Sequence, residues 1–234
     1  MEGYWYYIGA IAIMVWSFIV QISLKAKAAK GSEIASNKTA NEVVEEMLSR
    51  HGIYGITIDH KPGELSDCYS PKEGKIYLSD TTYNKRTLTA VAVAAHECGH
   101  AVQDHENMGI YRLRQFLAPA AGVCSNLSWY IVLAGILFAY ASERGGELGF
   151  TICNIGIILY MVTFLFFLVM LPVERNASRR AYKDMKDSNW VAEEDRSYAY
   201  KILRAAGDTY AISLASSALT LFRLILMRNS TRRN

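Results

Sequence analysis

The sequence predicts an α-helical integral membrane protein that carries a small α+β domain on one face of the bilayer. Three observations lead there. Hydrophobic residues make up 51% of the 234 residues and charged ones 20%, but apolar blocks and polar stretches are segregated along the chain. The apolar blocks at 3–24, 118–140 and 150–171 are each long enough, at about 1.5 Å per residue, to cross a hydrocarbon core about 30 Å thick. The polar stretch between the first two blocks passes from a helical pattern to short strands and back to a helix. The apolar and aromatic content excludes a disordered chain. Gly and Cys are too few for a collagen-like or disulfide-framework protein. A net charge of +3 points to no polyanionic partner such as nucleic acid.

Residues 3–24 carry no charge, open with Tyr4, Trp5, Tyr6 and Tyr7 as an interfacial aromatic belt, and end before Lys25, Lys27 and Lys30. Ala26-Lys-Ala28 loosely matches a signal-peptide cleavage site. The run is too long for an h-region, however, and its cations follow where they should precede, so a retained transmembrane anchor is expected. The segment 25–116 forms the polar domain. Lys25–Asn37 is a linker of charged and small residues. Thr39 and Glu42 fit a capping box, Val43, Val44, Met47 and Leu48 make an apolar stripe, and Gly52 ends that helix. Ile53–His60 alternates as a strand does, and Lys75–Ser79 is a second strand after a turn at Pro71–Gly74. Thr87 to about Gln103 is a long helix rich in Ala.

The second and third apolar blocks, within 117–172, are separated only by Ala141–Gly149 and form a transmembrane hairpin. Residues 25–116 hold 12 Lys and Arg, the hairpin loop holds Arg144 alone, and residues 174–210 hold 8. The positive-inside rule therefore puts the N-terminus outside and both polar regions, 25–116 and the helical stretch 173–210, in the cytoplasm. Segment 211–228 is apolar but short, contains Arg223 and precedes Arg228, Arg232 and Arg233. An interfacial helix is preferred there over a fourth span, which would carry those arginines outside; 229–234 is a basic tail.

The long helix contains His96-Glu-Cys-Gly-His100, the pattern H-E-x-x-H. Residues four apart on a helix stand one above the other, so two imidazoles can grip one Zn²⁺ at about 2.0–2.1 Å. Glu97 projects beside them, where it can act as general base toward a zinc-activated water. Shuffling a chain of this composition yields the pattern in roughly one sequence in 150. A catalytic zinc needs a third protein ligand and an open position. The metzincin pattern requires Gly at 103 and His at 106, where this chain has Gln103 and Glu106. His105 points off the ligand face. The gluzincin alternative takes a Glu from another helix, and Glu174 fits best: it follows the third apolar block directly and, after two crossings, returns to the compartment of His96 and His100. Asp184, Asp187, Glu193 and Glu194 read as a solvated face.

These motifs resemble those of the YugP-like membrane zinc metallopeptidases of bacteria over nearly the whole chain. The resemblance rests on the N-terminal anchor, Gly63-Glu-Leu-Ser-Asp67 before a Tyr-x-Pro turn, Val91 to Gln103 around the zinc motif, and Leu171-Pro-Val-Glu174. More distantly, Glu174-x-x-Ala177 is similar to the third-ligand helix of the membrane proteases that include the CAAX prenyl proteases. Where those carry Asp, this chain carries Ser178, one turn after Glu174 and able to hydrogen-bond a ligand. Cys68 stands where relatives are expected to carry His and is assigned no role.

The resemblance implies a small cytoplasmic zincin-like metallopeptidase domain on a multi-pass cell-membrane protein. The expected activity is zinc-dependent endopeptidase, with one Zn²⁺ per chain on His96, His100 and Glu174, Glu97 as catalytic base, and Ser178 and Gln103 supporting the ligands. Its expected partners are the lipid bilayer and protein or peptide substrates at the membrane. Lys75–Ser79 is a candidate edge strand for extended substrate. Arg179, Arg180 and Tyr182 are considered as oxyanion donors, with surface or phosphate-facing roles favoured for the arginines. Cys68 and Cys98 are expected reduced, with Cys98 a small buried hydrophobe. Cys124 and Cys153 are expected to pack in the hairpin, where Asn126 and Asn154 could bond to each other. A zinc-binding membrane adaptor without protease activity is the alternative reading. A site within a span is disfavoured by the polar residues flanking the zinc motif.

Overall fold

The computed structural model describes residues 4–141 and 145–230. The expectations placed on Gly3, Arg144, Arg232 and Arg233 lie outside those residues. Along the chain come α1 (Tyr4–Ser32), α2 (Ala40–Arg50), β1 (Thr57–Lys61), β2 (Cys68–Ser70), β3 (Lys75–Ser79), α3 (Leu88–His105), α4 (Gly109–Ala141), α5 (Gly145–Lys186) and α6 (Glu193–Ser230). They form two compact units. One comprises the described parts of Met1–Ser17, Leu113–Leu171 and Tyr210–Asn234; the other comprises Phe18–Arg112 and Pro172–Thr209.

In the second unit α1 stays helical to Ser32, through most of the expected linker. Ala26, Ala28, Ala29 and the neighbouring lysines are strong helix formers. The segment is also tied down, since the Thr89 hydroxyl donates to the Ala28 carbonyl at 2.7 Å. The capping box of α2 is complete: Glu42 N–H donates to the Thr39 hydroxyl at 3.2 Å, and Thr39 N–H donates to the Glu42 carboxylate at 2.6 Å. Val43, Val44, Met47 and Leu48 are buried in one core with Val91, Ala94, Ala95 and Cys98 of α3. The sheet has the order β1-β3-β2, with β1 parallel and β2 antiparallel to β3. Lys75–Ser79 is thus the central strand and cannot serve as the substrate edge. The edges are β1 and β2, and β2, the one beside α3, has three residues, too few to show an alternating pattern.

Four helices (α1, α4, α5 and α6) are long and apolar enough to cross a membrane, one more than the sequence analysis preferred. The zinc-motif helix α3 is not among them. The 211–228 stretch is the second half of α6, and within the first unit it runs antiparallel to α1. The Arg223 guanidinium lies 4.8 Å over the Tyr6 ring and donates to its hydroxyl at 3.2 Å, while a Cβ on Gly9 would touch Leu219. Trp129 covers Arg223 at 5.1 Å. Arg228 donates to Asn154 at 2.9 Å, so Asn154 pairs with an arginine and not with Asn126. These aromatic and amide partners remove the objection that Arg223 and Arg228 bar α6 from spanning. The α4–α5 hairpin closes on small residues: a Cβ on Gly149 would lie 2.5 Å from the Gly135 carbonyl oxygen. Cys153 packs buried in this hairpin, and all four cysteines are free thiols.

Helix α5 runs unbroken from the third apolar block into the polar region. It passes Pro172, which withholds one N–H from the helical ladder. The expected boundary at 172–173 therefore falls inside one helix.

Candidate metal centre

Thr87 starts α3 as its N-cap, accepting a hydrogen bond from Ala90 N–H at 3.3 Å, and the helix continues through His96, Glu97 and His100. The two imidazoles stand edge to face with centroids 4.9 Å apart. Helix α5 brings Glu174 against them. His96 Nε2 lies 3.1 Å from Glu174 Oε2, and His100 Nε2 lies 3.5 Å from Glu174 Oε1. One ligand atom from each of the three residues falls within 4.8 Å of the others. Donors at about 2.0–2.1 Å from a tetrahedral zinc are about 3.3–3.4 Å from one another, so the two measured separations bracket the zinc geometry. Glu174 is 1% exposed. Burial raises its carboxyl pKa, but the His100 and His96 rings, when protonated at the Nε2 atoms that face it, outweigh that and hold it well below the usual carboxylate range.

The far nitrogen of each imidazole is also engaged. Gln103 is fully buried, and its amide nitrogen donates to the Val173 carbonyl and to Asn176 Oδ1, each at 2.9 Å. A carbonyl can only accept, so the amide orientation is fixed and Gln103 Oε1 must face His100 Nδ1, 3.0 Å away. His100 Nδ1 therefore carries a proton, and in the neutral ring the lone pair sits on Nε2, facing Glu174. The Ser178 hydroxyl lies 3.2 Å from His96 Nδ1 and can accept from it in the same way. Such partners fix ligand tautomer and ring orientation. Arg180 extends the bracing, donating to Asn176 at 2.8 Å and to both carboxylate oxygens of Glu106 at 2.8 and 2.6 Å.

The two helices approach closely because Gly99, inside the zinc motif, has no side chain. A Cβ there would sit 2.7 Å from the Ala177 carbonyl oxygen and 3.0 Å from the Ala177 Cα. Glu97 lies on a different face of α3, and its Oε2 accepts the Tyr69 N–H from β2 at 3.0 Å. Two turns on, Asp104 accepts the Tyr69 hydroxyl at 2.9 Å. Burial together with that hydrogen bond pushes the Tyr69 phenol well above its ordinary pKa.

The structure brings His96, His100, Gln103, Glu174 and Ser178 together, while Glu97, next to His96 on α3, is held by the Tyr69 N–H of β2. It does not bring Arg180, Tyr182 or Asp184 to the ligand atoms. Arg180 is spent on Glu106, the Tyr182 ring packs on Tyr200 at 4.9 Å, and Asp184 is buried against His51 at 2.9 Å, not on a solvated face. His105 is exposed, and burial raises the Cys98 thiol in the α2–α3 core. Sequence reasoning missed Tyr69, Asp104, Asn176 and Gly99. Tyr69 was signalled by its Tyr-x-Pro turn; the close approach at Gly99 has no local signal. Asp67, in the loop before β2, accepts the backbone N–H and the hydroxyl of Ser79, both at 2.8 Å, and so seats that loop on β3.

A family model described as "Putative neutral zinc metallopeptidase" matches residues 6–229. The chain is 30% identical over 219 residues to the "Putative membrane protease YugP" of Bacillus subtilis (strain 168), covering 93% of each protein. No solved structure matches it.

Proposed function

The chain belongs to the zinc metallopeptidase family whose model it matches over residues 6–229, and on that premise we propose that it is a membrane-bound zinc endopeptidase acting on membrane proteins or on chains at the membrane surface. The observation that carries this reading is the convergence of His96, His100 and Glu174, with Glu97 next to His96 in the chain and outside the ligand set. His96, His100 and Glu174 would hold a zinc ion, which would supply Lewis acidity toward the scissile carbonyl and toward water. His96 and His100 offer Nε2 because Ser178 and Gln103 occupy their Nδ1 atoms. Glu97 keeps one carboxylate oxygen on the Tyr69 N–H. With the other it takes a proton from the attacking water and delivers it to the leaving amine as the C–N bond breaks. Three ligands among the described residues suit a catalytic site better than a structural one, which closes with four; this counts against the adaptor reading. Extended substrate is assigned to β2, the sheet edge carrying Tyr69, by main-chain pairing.

For orientation we keep the N-terminus outside and the metal centre in the cytoplasm, now with α6 as a fourth span. Moving Arg228, Arg232 and Arg233 outside leaves the 12 and 8 Lys and Arg of the two polar regions in large excess inside. A C-terminal tag should then react with a membrane-impermeant reagent on intact cells. Reaction only after permeabilisation would return α6 to the interface.

The activity test is Glu97→Gln in the full chain, assayed on a membrane-anchored unfolded test substrate. It should keep its zinc while cleavage falls by about 10²–10⁴-fold. Full activity in this variant would sink the mechanism.

A further inference from the structure

In the second unit α5 and α6 enclose a groove of about 240 Å³, lined among others by Arg175, Ser178, Arg179, Tyr200, Arg204 and Asp208. Its three arginines are distinctive. None of Arg175, Arg179 and Arg204 makes a hydrogen bond, ion pair or ring contact among the described residues, whereas every other described arginine has a partner. The unpartnered guanidinium groups among the described residues thus all line this one concavity, whose only carboxylate is Asp208; Arg179 also borders a second cavity that holds Glu106, Asp184 and Asp187.

Three like charges around one groove repel one another, and a bound anion relieves that repulsion while gaining charge-assisted, forked hydrogen bonds. The groove's place in the sequence indicates which anion. Arg175 follows the end of the apolar run at Leu171 by about one helical turn, and Arg204 precedes the apolar run from Ala211 by about two. At that depth the abundant anion is the phosphate of a lipid headgroup. A bias toward Lys and Arg at the ends of spans accounts for positive charge there, but not for three arginines left without partners on one groove.

We propose that this groove binds the phosphate of an anionic phospholipid headgroup through Arg175, Arg179 and Arg204, with Tyr200 walling its apolar side. Ser178 lines the groove and also reaches His96 Nδ1, so a bound headgroup lies directly behind the metal centre and not on the Glu97 side. The site is therefore distinct from the one assigned to peptide substrate, and its existence does not depend on the peptidase reading.

The test uses the full chain in detergent and native mass spectrometry, with short-chain phosphatidylglycerol against phosphatidylcholine of the same chain length, and inorganic phosphate as a third probe. Wild type should retain the anionic lipid preferentially. Arg179→Gln should weaken that preference by about fivefold, and the triple change to Gln at 175, 179 and 204 should remove it. Arg179→Lys should fall between wild type and Arg179→Gln, because charge survives while the fork is lost. Arg86→Gln, away from the groove, should leave the preference intact. Equal retention of the two lipids by wild type, or an undiminished preference in folded Arg179→Gln, would overturn the proposal. Binding of inorganic phosphate as tight as that of the anionic lipid would overturn the assignment to a lipid.

Discussion

Helix α3 contributes two of the three candidate metal-ligating side chains, His96 and His100 one turn apart, whereas α5 contributes only Glu174, 78 residues beyond His96. The α3 pair needs nothing but a helix to be in place, because the i, i+4 spacing stacks the side chains. The α5 ligand depends on the whole second unit. It arrives because Gly99 lets the Ala177 backbone approach, and because Gln103 reaches across from α3 to the Val173 carbonyl and Asn176. Two of the three candidate ligands are thus set by local geometry and the third by packing. Loss of the Glu174 side chain alone should consequently disturb the centre while the α3–α5 core of Ala95, Cys98, Ala181 and Met185 stays in place.

The largest effect that bears on this contrast is removal of the packed ligand. Glu174→Ala should lower the zinc-to-protein ratio of the detergent-purified protein as far as His100→Ala does. Unchanged zinc would break the comparison by moving the third ligand elsewhere. Next comes Gly99→Ala, which adds a methyl group against backbone and should destabilise the second unit by about 1–3 kcal/mol in thermal unfolding while weakening zinc retention. Gly109→Ala, where nothing lies within 4 Å of the added atom, is its control and should be close to neutral. The smallest effects separate the two supporting residues. Gln103→Ala should lower zinc affinity by about 10–100-fold in a chelator competition, and Ser178→Ala by less. Gln103 fixes a tautomer and also joins the helices, while Ser178 makes one hydrogen bond to a ligand. Equal losses would mean that orientation of the imidazoles, not the α3–α5 link, sets affinity.

Legibility in the sequence followed the same division. His96, Glu97 and His100 could be read from spacing alone, and the capping box of α2 from Thr39 and Glu42. Glu174 needed an argument from compartments, since only a count of crossings returns it to the side of α3. Beyond local pattern, sequence reasoning failed for identifiable reasons. Strand β2 is too short to show a period, so the pattern alone offers Lys75–Ser79 as the edge and gives no sign of the Tyr69 hold on Glu97. A glycine inside a helix gives no sign of which backbone it admits. Segment 211–228 was judged by its arginines, but the groups that accommodate them are distant in sequence, Tyr6 by 217 residues and Asn154 by 74.

The fixed orientation of the Gln103 amide has one more consequence. Because His100 Nδ1 must donate to Gln103, a second proton on that ring can go only to Nε2, the atom that would hold the metal. Acid and zinc therefore compete for one lone pair, and loading the centre from a protonated state expels a proton into the surrounding water.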